Sequence, residues 1–146
     1  MRNGGNNVEI IGIKELLRKF ENFQDEIKVE IQQELIATVI TEIETPAKET
    51  LTQDRHVDSG RLRSSIYTKY KGHESKRYSD NDGNGFVCNL NVPVKDLQVS
   101  CGTDVPYAQK IEKLDSYLVK NYEKAKPKIK ENINNVIHDL TRRYSG

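Results

Sequence analysis

Few residues in this chain stand at spacings that could do chemistry. His56 lies two residues before Asp58, so an imidazole has a carboxylate near enough to orient it as a base. Gly60-Arg61-Leu62-Arg63 sets two guanidinium forks, suited to carboxylates or phosphates, just after a glycine. Asp80-Asn81-Asp82-Gly83-Asn84 has the oxygen-rich opening of a calcium loop, and Cys88 and Cys101 are the only two thiols.

Each pattern is incomplete as a catalytic or metal site. The His56–Asp58 pair has no third member, and neither His73 nor His138 lies one helical turn from another ligand type, so these histidines read as ordinary polar residues. A calcium loop of the EF-hand type needs a glutamate at its twelfth position. Counted from Asp80 that position is Asn91, inside a stretch that reads as strand, so a solvated loop is the expectation. The cysteines lack metal-binding spacing and are expected to be reduced thiols. The arginines carry three open readings: an inter-subunit ion pair, a contact with DNA, or bracing of a tight turn against carboxylates such as Asp58.

The elements that would position these residues follow from periodicity. Ile13, Leu16, Leu17 and Phe20 mark one helical face. Ile27, Ile31, Leu35, Val39 and Ile43 recur every fourth residue and predict the longest helix, which Pro46 should kink or end because proline lacks an amide donor. Turn chemistry fills 52–60, and 61–65 reads as one turn of helix. Residues 66–70 read as a strand, and 71–85 as a long polar loop. Phe86, Cys88, Leu90 and Val92 alternate with polar or small neighbours, as do Leu97, Val99 and Cys101, which predicts two half-buried strands. A hairpin loop at 93–96 would set Cys88 opposite Cys101. A short helix at 106–114 and a final helix at 116–144, with Pro127 as a possible bend, complete the chain.

The totals bound the class. A chain of 146 residues fits one domain, here 8–146 after a polar, flexible lead at 1–7. With 35% apolar and 31% charged residues it is polar for a compact monomer, which suits exposed helices or a subunit completed by neighbours. Net charge is +1, without the basic excess usual for a nucleic-acid binder. Residues 110–143 are mildly basic, with nine Lys or Arg against five acids, and read as a solvated face. No apolar run is long enough to span a membrane and no secretory signal is visible, so a cytosolic product is expected.

Three segments together resemble the minor tail component family, the tail-completion proteins of long-tailed bacteriophages. Residues 8–17 (Val-Glu-Ile-Ile-Gly-Ile-Lys-Glu-Leu-Leu) resemble the family's opening. Val57-Asp58-Ser59-Gly60-Arg61-Leu62-Arg63-Ser64-Ser65-Ile66 resembles its most recognisable motif. Val99-Ser100-Cys101-Gly102-Thr103-Asp104-Val105-Pro106-Tyr107-Ala108 is similar to its Gly-Thr, Pro-Tyr-Ala block, and Glu112 matches the acid that follows. The chain departs from the pattern at His56, at 113–115 and at 116–118.

The expectation is therefore an α+β fold, with a long N-terminal helix and a C-terminal helix packed on a small, mostly antiparallel sheet of 66–70, 86–92 and 96–103. The resemblance implies a structural, non-enzymatic virion protein at the phage neck. It would act in a homo-oligomeric ring between connector proteins and tail-tube or tail-terminator subunits, with DNA in the channel as a candidate partner. No cofactor and no membrane enter this reading, and assembly would take place in the host cytoplasm. Asp58, Gly60, Arg61, Leu62, Arg63, Tyr107 and Glu112 are the expected motif or interface residues. Asp58 or Ser59 would cap the turn at 61–65, Gly60 would give backbone freedom, Leu62 and Ile66 would share a buried face, and Tyr107 would serve an interface. The alternative is a nucleic-acid-binding module using Arg61, Arg63 and the basic final helix.

Overall fold

A computed structural model describes residues 7–9, 25–54 and 60–144. Of the lead expected at 1–7 only Asn7 is described, and it stands in a strand rather than in a free segment; the helical face at 13–20, and His56, Asp58 and Ser59, lie outside the described residues. The fold is α+β, as the periodicities imply. The elements are β1 (Asn7–Glu9), α1 (Asp25–Val39), a π-helical turn (Ile40–Glu44), α2 (Thr45–Gln53), α3 (Arg61–Ser65), β2 (Tyr67–Lys69), β3 (Lys76–Ser79), β4 (Gly85–Cys88), β5 (Ser100–Gly102), α4 (Ala108–Leu114) and α5 (Val119–Tyr144).

The long helix does not end at Pro46. It runs on through the π turn into α2, and Thr45 donates its amide to the Ile40 carbonyl five residues back. Pro46 enters α2 at its start, where a missing amide costs least. The same turn corrects the phase of the apolar stripe. A repeat of four drifts by about 40° per step around a helix of 3.6 residues per turn. The wider π turn takes back part of that drift. Ile27, Ile31, Leu35, Val39, Ile43, Ala47 and Leu51 are accordingly all buried.

Helix α5 packs antiparallel to this long helix. Side-chain bonds mark the register at three levels: Arg143 to Glu30 (3.0 Å), Asn132 to Thr38 (3.2 Å) and Asn121 to Thr50 (3.2 Å). Between them α5 buries Ala125, Ile129, Ile133, Ile137 and Leu140 in the same core. Each fully buried isoleucine or leucine there contributes roughly 1.5–3 kcal/mol of transfer free energy. The helix continues through Pro127, which lies on its exposed side.

The sheet differs from the expected one. Strand β5 is the centre of a three-stranded antiparallel sheet in the order β1-β5-β2, with Val8 and Thr68 both opposite Cys101. The expected hairpin between 86–92 and 97–103 does not form. Instead β4 pairs with β3, which lies inside the stretch expected to be a long polar loop. The reason is visible beyond Cys88, where side chains satisfy the backbone that a neighbouring strand would otherwise need. The Leu90 amide donates to Tyr67 Oη (3.1 Å), and the Leu90 carbonyl accepts from the buried Lys69 ammonium (2.6 Å). The Asn89 amide donates to the Asp104 carboxylate (3.0 Å). Residues 95–98 do form a turn, closed by Gln98 N–H to the Lys95 carbonyl, with Leu97 at φ +62°. Cys88 and Cys101 therefore sit in different sheets, both free and both buried.

Candidate functional site

The central sheet takes up parts of two of the segments singled out in the sequence and follows directly on the third. Val8 and Glu9, the described residues of 8–17, lie in β1, the 57–66 segment ends just before β2, and the 99–108 block contains β5. The last two are also joined by side chains. Ser65 Oγ and Thr103 Oγ1 are 2.6 Å apart in the interior, Ser65 Oγ bonds the Leu62 carbonyl, and Thr103 Oγ1 accepts from the Val105 amide.

Gly60 stands before the first turn of α3 with φ +73°, and its carbonyl accepts the Ser64 amide. A left-handed backbone at this point favours glycine, because any Cβ meets its own carbonyl. Space is also closed: a Cβ on Gly60 would lie 2.4 Å from Asn81 Oδ1. Leu62 and Ile66 share the buried face expected of them.

Arg61 points to the β3–β4 hairpin. Its guanidinium carbon lies 4.2 Å from the centroid of Phe86, and its Nε donates to Tyr78 Oη at 3.2 Å. Phe86 in turn stacks on Tyr78, with centroids 5.4 Å apart and planes inclined by 20°. The Tyr78 hydroxyl, with weaker help from Tyr107 and Asp104, holds the Arg61 guanidinium even more firmly charged than usual. Burial pushes the Tyr78 phenol above its ordinary value, opposed by Arg61. Arg63 Nη1 donates to Thr52 Oγ1 (3.1 Å), tying α3 to the end of α2. Both arginines thus have partners within the chain.

Tyr107 begins α4 and keeps 39% of its surface exposed; Val87 on the outer face of the hairpin keeps 58%. An open hollow of about 480 Å³ lies on the β3–β4 hairpin, and its lining includes Arg77, Tyr78, Phe86 and Val87. An arginine stacked on an aromatic ring, with a half-exposed tyrosine near it, is the composition of a protein-binding patch.

Glu112 does not face this patch. Its carboxylate accepts from Leu118 N (2.9 Å), Tyr117 N (3.3 Å) and Ser116 Oγ, so it satisfies amides freed where the chain enters α5. Glu112 therefore shapes the turn at 115–118. The Asp80–Asn84 loop is likewise self-satisfied. The Asp80 carboxylate accepts from Asn84 N, Asp82 N and Asn84 Nδ2 at 2.9, 2.9 and 3.0 Å, and the bonds from Asn84 foremost hold it below the usual carboxylate range. Among the described residues no group of three or more His, Cys, Asp or Glu is placed to hold a metal ion. No helix among them is long and apolar enough to cross a membrane.

Sequence reasoning missed Tyr78, Asn81 and the pairing role of 76–79. The signal available was faint: β3 buries one residue, Tyr78, in a run that is otherwise polar. Comparison finds no protein-family model, no curated protein and no solved structure that matches this chain.

Proposed function

We infer that the chain is a structural subunit of a tailed bacteriophage particle, a tail-completion or head–tail joining protein that works in a ring at the neck. The observation that carries this reading is that two of the resembling segments, 57–66 and 99–108, meet in the interior, where Ser65 Oγ and Thr103 Oγ1 are 2.6 Å apart. The strand that follows 57–66, Tyr67–Lys69, pairs with β5 of the 99–108 segment, and Val8 and Glu9 of the first segment pair with the other edge of β5.

In this reading the sheet and the long helices form a rigid frame, and the work is binding. The patch of Arg61, Phe86 and Tyr107 supplies an aromatic and cationic contact for a neighbouring subunit or for the connector. A ring contact is heterologous, with one surface of each subunit meeting a different surface of the next.

The test is complementation of a phage lacking this gene. Wild-type protein should restore joined particles, counted by electron microscopy, while Gly60→Val should leave heads and tails separate. Normal joining in the complete absence of the chain would end the neck assignment.

A further inference from the structure

The β3–β4 hairpin has an edge that the chain leaves open. The Asp80 amide donates to the Asn84 carbonyl (3.0 Å), which fixes the phase of the ladder. Bonded pairs alternate with unbonded ones along two antiparallel strands. Tyr78–Phe86 and Lys76–Cys88 are therefore the bonded pairs, while Gly85 and Val87 turn their amides and carbonyls away from β3. Asn89 is next in the same phase, and its amide is taken by the Asp104 carboxylate (3.0 Å). Among the described residues no side chain does the same for Gly85 or Val87, and no strand lies beyond β4. The opposite edge, on β3, adjoins α3, whose Arg61 reaches Tyr78.

The side chains beside this edge are uncovered as well. Val87 is exposed, and a Cβ added at the exposed Gly85 would meet nothing within 4 Å. Both line the hollow on the hairpin. Arg77, directly opposite Val87, is exposed and makes no hydrogen bond or ion pair among the described residues. The other charges of the hairpin lie elsewhere. Lys76 turns inward to the Ile66 carbonyl, Asp80 is engaged by the amides of Asp82 and Asn84, and Asp82 stands at the exposed tip of the turn. Strand β4 carries no proline, lysine or bulge, the devices that blunt an edge against pairing.

We propose that the open edge of β4 receives an extended segment of another polypeptide, which adds as an antiparallel third strand and carries an acidic side chain opposite Val87. Only an extended backbone offers amides and carbonyls two residues apart, at about 6.8 Å, to match those of Gly85 and Val87. Antiparallel pairing is the more stable per residue. In that arrangement the acid stands two strands from Arg77, about 10 Å between backbones, a gap that the two side chains span over Val87. The next residue of the segment faces Phe86 across an unbonded pair, where side chains come closest and an aromatic is favoured. The one after lies beside Gly85, where the missing side chain leaves room for a large one. The acceptor ends at Asn89, whose amide Asp104 already holds. The site does not depend on the neck reading, and its failure leaves that reading untouched.

The experiment is amide exchange of the full chain, followed by NMR, with the capped peptide acetyl-Thr-Thr-Glu-Tyr-Ile-Thr-amide as probe. In the free chain the Phe86 and Cys88 amides should be protected and those of Gly85 and Val87 open. Millimolar peptide should slow exchange at Gly85 and Val87 severalfold and leave the amides of α5 unchanged. Val87→Pro removes the amide at an outward-facing edge position, where proline is tolerated. It should abolish the response while Phe86 and Cys88 stay protected. Val87→Thr keeps the amide and should keep the response. Arg77→Glu should weaken binding about threefold, the scale of an opposite-charge pair across strands, and a peptide with Lys in place of Glu should restore it. Gly85 and Val87 amides already protected in the free chain overturn the open edge. Unchanged exchange at millimolar peptide overturns the strand site, as does an undiminished response in Val87→Pro. Equal binding of the Glu and Lys peptides by the wild type overturns the acidic preference.

Discussion

Substituting Gly60 separates two costs that the structure places at one atom. An alanine here must adopt φ +73°, which costs about 1–2 kcal/mol for a residue with a Cβ. It must also displace Asn81, whose Oδ1 would lie 2.4 Å and Cγ 2.8 Å from the new carbon. Asn81 sits on an exposed turn and its side chain can move, so the added cost is about 1 kcal/mol, in the range of one lost hydrogen bond. The expected total for Gly60→Ala is about 2–3 kcal/mol, and more for Gly60→Val because of its branched Cβ. The assay is urea unfolding of wild type, Gly60→Ala, Asn81→Ala and the double variant. In the double variant the steric part should vanish while the backbone part stays, leaving a favourable coupling energy of about 1 kcal/mol. A Gly60→Ala protein as stable as wild type would refute the backbone argument. Strict additivity of the two substitutions would refute the steric one.

Glu112→Ala should cost about 1–2 kcal/mol in the same assay, because it frees the amides of Tyr117 and Leu118; Glu112→Gln should recover part of that. Under native conditions both cysteines should resist alkylation, and after denaturation mass spectrometry should find both modified; a peptide crosslinked through 88 and 101 would contradict their placement in separate sheets. Stability should rise between pH 7 and 9 and then fall. Lys76, lowered to about 8, binds fewer protons folded than unfolded across the window from 8 to 10.5, so its penalty eases as pH rises. At 1.36 kcal/mol per unit and discounted for solvent screening, the gain by pH 9 is about 0.5 kcal/mol. Above pH 9 the two thiols, raised to about 12, ionise in the unfolded chain first and reverse the slope; a monotonic rise to pH 11 in thermal melts would contradict this.

Much of the fold was legible because burial follows period. The stripe from Ile27 to Ile43 marked the long helix, and Cys88, Leu90, Val99 and Cys101 are all buried as their alternation required. What alternation does not encode is the partner. An apolar face says that a strand lies on a core, and several pairings satisfy it equally. Here Tyr67 and Lys69 satisfy the backbone of Leu90 by side chain, which removed the need for a ladder between 86–92 and 97–103. Strand β3 was hidden for the opposite reason, since Arg77 and Ser79 face solvent and leave Tyr78 as its sole apolar mark. At the site, Gly60 and Leu62 were readable from conformational freedom and spacing. Arg61 was singled out too, but not its contact, because its stacking partner Phe86 lies 25 positions along the chain.

The π turn at Ile40–Glu44 also bears on how the length of this chain can change. A turn closed five residues back holds one residue more than an α-helical turn over the same path. Deleting one residue there would return the segment to ordinary helix with the two flanking segments still joined end to end. Pro46 is what stands against such a shortening, for in an unbroken α-helix its ring would press on the carbonyl four residues before it. The extra residue and the proline are therefore tied as a pair: a shortened chain keeps its long helix only if the proline is exchanged with it.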